Sequence, residues 1–167
     1  MDVGNFRILL ELDSSDWHAH STERLWAEKV VNDGVDCFRI VNSPFFFRGL
    51  SNHDVVRAVW SDKFDSYIFQ DVLEHSGRST YMILVPIESS RRFEEFSWPP
   101  FSALGCEYER TSIEISMGKM MLYAVDIPEV TNIFDVYKLL SMGESRQEFL
   151  FQEGYVGHEL TNGGNRQ

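Results

Sequence analysis

Short apolar runs alternate with polar turn signals over the first half of the chain, and strands then begin to alternate with helical spacing. Residues 6–12 predict a strand, followed at 13–21 by a polar loop that carries Trp17, His18 and His20. Strands are predicted at 25–31 and 36–41, joined by Asn32-Asp33-Gly34, whose Asn and Gly accept positive φ. Asn42-Ser43-Pro44 stops the second of these, because proline has no N–H to give a ladder. Residues 45–50 are apolar but irregular, Ser51-Asn52-His53-Asp54 turns, and 55–60 is again a strand. A longer pair, 67–74 and 80–87, is joined by His75-Ser76-Gly77-Arg78-Ser79. So many short strands in so little chain predict a small, SH3-like β-barrel over residues 24–78, preceded by an N-terminal strand and loop at 1–23.

The second half has another rhythm. Ser89 or Ser90 caps a predicted helix through 96 with acids in its first turn, Pro99-Pro100 breaks or kinks it, and Gly105 ends a further helical turn at 101–104. Strands follow at 106–115 and 120–127, with Ser116-Met117-Gly118-Lys119 as their hairpin. Thr131 is the expected cap of a helix whose apolar positions Ile133, Phe134, Val136, Tyr137, Leu139 and Leu140 fall at helical spacing, with Gly143 closing it. A last strand is predicted at 148–156, then a flexible tail at 158–167. Strand, helix, strand, strand, helix, strand is the order of a ferredoxin-like βαββαβ plait, so the expected class is α+β, a barrel followed by a plait over 79–157.

Charge narrows the partners. Among 167 residues, 26 acids against 15 Lys and Arg give a formal charge of −11, spread along the chain. Such an excess repels phosphate backbones and anionic membranes, so nucleic acid and membrane are not expected partners, whereas a cationic protein is steered in. Ordinary solubility accounts for the same charge. The two cysteines, Cys37 and Cys106, suit a reducing compartment, and residues 1–5 lack the basic and apolar character of a signal peptide; a cytoplasmic location is expected.

Catalytic signatures are missing from the sequence. No G-x-S-x-G elbow and no glycine-rich phosphate loop occurs. His18 and His20 with Asp16 offer three ligand types, but nothing else with ligand spacing follows, so neither metal nor cofactor is expected. Cys37 and Cys106 read as packing residues, and no enzyme activity is expected. The run Phe45-Phe46-Phe47 reads as a plug of the barrel or as the seam with the plait, with at least one ring exposed or held between the halves. Trp17 and Trp98 have the least obvious core roles and are the preferred interface anchors. Asp62, Asp65, Glu94, Glu95, Glu107 and Glu109 are candidate partner-binding carboxylates; a solvated face reads the same way.

Three stretches, Leu25-Trp26-Ala27-Glu28-Lys29-Val30, Asn42-Ser43-Pro44-Phe45-Phe46 and Gly49-Leu50-Ser51-Asn52-His53-Asp54-Val55-Val56, carry a resemblance. They resemble an uncharacterised bacterial family with a W-x-E-x-V start, an N-x-P-F-F centre and a G-L-S-x-x-D-V-V turn. Shorter matches at Ser76-Gly77, Ala103-Leu104-Gly105-Cys106 and Val125-Asp126-Ile127-Pro128 extend the likeness over residues 24–156. It implies a bacterial, cytosolic protein without known catalytic residues. Small bacterial domains of this kind recur as immunity proteins beside polymorphic toxins, so by analogy the expected role is stoichiometric neutralisation of a basic toxin domain. A regulatory module binding a small ligand or a protein is the alternative. Residues 1–23 and Trp98-Pro99-Pro100 depart from the family pattern and are expected to be partner-specific surface.

Overall fold

The computed structural model describes residues 5–31 and 36–160. The expected Asn32-Asp33-Gly34 turn and the residues 161–167 of the expected tail lie outside them. The fold is α+β, with two antiparallel-rich sheets and few helices.

Five strands, β1 (Asn5–Glu11), β2 (Thr22–Val30), β3 (Cys37–Ile40), β4 (Val55–Ser61) and β5 (Ser66–Glu74), form a closed barrel. Neighbours pair antiparallel except at the closure, where β1 meets β5 in parallel at Ile8↔Tyr67 and Leu9↔Ile68. The expected N-terminal appendage is therefore corrected: β1 is a barrel strand paired on both edges, and its Ile8 and Leu10 fill the interior with Leu25, Ala27, Phe38, Ile40, Val56 and Ala58. Alternation with period two sends these side chains inward from every strand.

The second sheet holds β6 (Ser79–Pro86), β7 (Glu107–Ile115), β8 (Gly118–Ile127) and β9 (Leu150–Tyr155) in the antiparallel order β7-β8-β6-β9. Strand β6 is apolar on both faces because both are covered. One face packs Ile83, Val85, Tyr123 and Val125 under the helices. The other face, with Met82, Leu84, Ile113, Met120 and Leu122, is covered by Trp17, Phe45 and Phe46 from two loops of the barrel. Phe47 turns the other way and joins the barrel core, so the three-phenylalanine loop stitches the two sheets together.

The helical run after β6 does not break at its prolines. A 3₁₀ turn (Ile87–Ser89) leads into α1 (Ser90–Arg92), a π-turn (Phe93–Ser97) and α2 (Pro99–Ala103). Pro99 and Pro100 supply no N–H and crowd the carbonyls one turn back; the helix widens so that the Trp98 N–H donates to the Phe93 carbonyl at 2.9 Å. Both prolines then occupy the first positions of α2, where an N–H is dispensable. Gly105, at φ +90°, ends the run as expected: its N–H donates to Ser102 O and the Cys106 N–H to Phe101 O, a Schellman closure.

Helix α3 (Ile133–Ser145) buries Ile133, Val136, Leu140 and Gly143 on one stripe. Its cap is Asn132, whose Oδ1 accepts the Phe134 N–H, while Thr131, the expected cap, donates its hydroxyl to Leu104 O. Gly143 does not close the helix either. It lies inside α3 because the Phe149 ring packs where its side chain would be, 2.1 Å from a Cβ.

Candidate functional site

Three buried carboxylates carry most of the interior polarity, and each is fully engaged. Glu23 on β2 accepts the backbone N–H groups of Phe45, Phe46 and Phe47 at 2.5, 3.1 and 2.9 Å. Burial pushes its carboxyl above the ordinary range, against the opposing pull of those three amides. Asp54 accepts from Ser51 N–H and Ser76 N–H and holds His75 Nδ1 at 3.0 Å, with the His75 ring stacked on Tyr155 at 4.3 Å. Asp126 takes a bidentate fork from Arg78 at 3.0 and 2.6 Å and a bond from Asn52 Nδ2.

Asp54 and His75 have the pairing of a base with its orienting group, but among the described residues no hydroxyl is hydrogen-bonded to the His75 ring. Ser76 donates to Asn52 O, and Ser79 is shared with His158 Nδ1 at 2.6 Å and the Gly157 N–H. His158 Nε2 in turn meets Pro128 O at 2.8 Å, so the chain is anchored at a residue assigned from sequence to the tail. These networks tie barrel loops, sheet and C-terminal segment together.

Of the expected anchors, Trp98 is corrected. It is only 9% exposed, stacked on Phe101 at 5.4 Å and set edge-on against Tyr108 at 4.6 Å, because the π-turn swings its indole into the core. Trp17 is half-buried over the sheet beside His18 and Phe46, with its Nε1 unpaired among the described residues. His18 is itself buried: its Nδ1 accepts the His20 N–H, and burial pushes its pKa down. Among the described residues no group of three His, Cys, Asp or Glu is arranged to hold a metal.

The expected carboxylates do not share one surface. Glu94 and Glu95 lie on the helical side, engaged by Arg110 with the Tyr123 hydroxyl and by Arg91 respectively. On β7, Tyr108 and Arg110 face those helices, so the alternating Glu107 and Glu109 face the barrel side. Partial burial raises the Glu109 carboxyl pKa, opposed by a bond from Asn42 and reinforced by Asp126 and Glu23.

Asp62 and Asp65 stand apart, at the β4–β5 turn, and there aromatic surface joins them. Trp60 is 46% exposed and Phe64 40% exposed. The Trp60 Nε1–H is held by Asp62 Oδ1 at 2.8 Å, its ring is set edge-on to Tyr67, and Lys63 lies over the Phe64 ring. Asp65 takes φ +47°, a left-handed conformation that helps close the turn. Trp60 and Phe64 were missed from sequence, where 55–60 read as an ordinary strand; the turn-rich Ser-Asp-Lys-Phe-Asp-Ser beyond it was the available signal.

No helix among the described residues is long and apolar enough to cross a membrane. No curated protein matches the chain. Its fold is similar to that in a crystal structure of a hypothetical protein from Neisseria gonorrhoeae, with a TM-score of 0.66 at 17% identity over 93% of this chain and 97% of that one. A family described as a domain of unknown function, DUF4265, matches residues 23–150, from β2 to the first residue of β9, and the chain belongs to that family.

Proposed function

We propose that this protein acts by stoichiometric binding, as a bacterial immunity protein in the cytoplasm that occludes a cognate basic toxin domain without transforming a substrate. The observation that carries the reading is the β4–β5 tip, where Trp60 and Phe64 stand half-exposed on the turn that also carries Asp62 and Asp65. Exposed aromatics of this kind anchor interfaces, and flanking carboxylates steer a cationic partner toward them. The net charge of −11 acts in the same sense and against nucleic acid. The motif resemblance over residues 24–156 supplies the link to immunity proteins, by analogy.

At the level of fold, we infer an SH3-like barrel joined to a ferredoxin-like plait. The sheet order β7-β8-β6-β9, with helices at the two crossovers, supports the plait. Five short strands closed on one another support the barrel.

The test is titration of the purified chain against the toxin domain encoded beside its gene. A one-to-one complex that abolishes toxicity is expected. The Trp60→Ala/Phe64→Ala double variant should weaken it by at least a hundredfold, and Asp62→Asn/Asp65→Asn should slow association and flatten its salt dependence. Absence of a complex refutes the immunity role; full affinity in the aromatic double variant refutes the assigned surface.

A further inference from the structure

On the helical side of the second sheet, away from the barrel, a recess of about 430 Å³ opens between the π-turn and the end of α3. Its floor is aromatic: Phe93, Phe101 and Phe149, all buried. Its mouth carries Phe96, 73% exposed, a large apolar side chain left in water at a π-turn. π-turns are frequent at functional sites, since the widened backbone is tolerated where it shapes a cavity. Opposite, Gln147 lines the recess at φ +59°, a left-handed conformation unusual for a side chain of that length.

Charge selects the occupant. Arg92 and Arg146 both line the recess, and neither has an ion pair or hydrogen-bond partner for its guanidinium among the described residues. Arg91, next in sequence, points elsewhere and is held by Glu95. The lining contains one acid, Glu148, whose Oε2 accepts the Ser97 hydroxyl. Two guanidiniums against one carboxylate leave the recess with a single net positive charge in a protein of strongly negative charge. A monoanion is matched by that balance, and Glu148 works against a dianionic phosphate. The accessible lining is mainly polar, with Phe96, Leu139 and Met142 as its apolar part beside the two guanidiniums, in a recess within the usual volume range of small-molecule sites.

We infer that this recess binds an amphipathic monocarboxylate, its hydrocarbon or aryl body against Phe96, Leu139 and Met142 and its carboxylate between Arg92 and Arg146. The site is separate from the β4–β5 tip, so the two readings stand or fall independently.

Octanoate is the probe, with octanol and octyl phosphate as comparisons. Binding is read by calorimetry and by the NMR signals of the Met142 methyl and the Phe96 ring. Octanoate is expected to bind with a Kd below about 1 mM, and octanol and octyl phosphate at least tenfold more weakly. Arg92→Gln/Arg146→Gln should weaken octanoate at least tenfold while leaving the unliganded melting temperature unchanged, since both side chains are exposed. Phe96→Ala should weaken octanoate and octanol alike. No octanoate binding up to about 10 mM, equal binding of octanol, or undiminished binding by the double arginine variant would each overturn the assignment.

Discussion

Replacing Glu23 with alanine strikes a barrel side chain that binds the backbone of the loop seated on the second sheet. Its carboxylate serves three amides, and Phe45 and Phe46 from that loop cover Met82, Leu84 and Leu122. Each amide left without its acceptor costs about 1–3 kcal/mol where it is buried, and less where water reaches it. The three phenylalanines are half-buried, which places each loss near the low end, about 1 kcal/mol, and removing a poorly solvated charge offsets part of the sum. The expected net destabilisation is about 2–3 kcal/mol, a fall in melting temperature of roughly 4–12 °C for a chain of this size. Glu23→Gln should cost less, about 1–2 kcal/mol, because one amide oxygen still accepts while its NH₂ faces a donor. The pH dependence has a definite sign. Burial raises the Glu23 pKa above 4.5, so the folded state takes up the proton before the unfolded chain does. Its contribution to stability therefore rises as pH falls through the raised pKa toward 4.5 and is lost as pH rises back through that window; Glu23→Gln removes this dependence. Urea denaturation followed by tryptophan fluorescence, repeated across that pH range, measures all three effects. An alanine variant within about 1 kcal/mol of the parent would refute the reasoning, since the amides would then not depend on the carboxylate.

Other positions give equally direct expectations. Gly143→Ala puts a methyl 2.1 Å from the Phe149 ring; overpacking should outweigh the better helix propensity and cost about 1–3 kcal/mol by calorimetry. Buried His18 has a pKa below its ordinary 6.5, so the unfolded chain protonates first; its contribution is intact above 6.5 and lost as pH falls from there through the lowered folded value, and His18→Gln should flatten the urea midpoint over that window. Burial pushes the Cys106 thiol up to about 12, so iodoacetamide at about pH 8 should label it only when urea opens the fold, and labelling of the native protein at the rate of a free thiol would contradict its burial.

What was legible in the sequence was the part written in local periodicity. The stripe Ile133, Val136, Leu140 announces α3, alternation announces the strands, and Gly105 announces the left-handed stop of α2. What failed depended on partners remote in sequence. The strand at the N-terminus read as an addition because nothing near it encodes its parallel pairing with β5. Trp98 read as exposed because Pro99-Pro100 suggested a break, whereas a π-turn lets the helix run on and carries the indole inward. For the candidate carboxylates, sheet order decides which face each one shares, and it separated Glu94 and Glu95 from Glu107 and Glu109. Asp62 and Asp65 stayed together because the whole tip is one local turn.

The parallel seam between β1 and β5 also decides where this protein can be cut. The family match begins at residue 23, inside β2, so a fragment trimmed to that boundary discards the stave that closes the barrel. Two raw strand margins would then face water, one on β2 and one on β5, each a template for pairing with a neighbouring molecule. Sequence kinship and the smallest self-sufficient folding unit are different lengths of chain, and only the longer one, starting before Asn5, comes out of the ribosome with a way to shut itself.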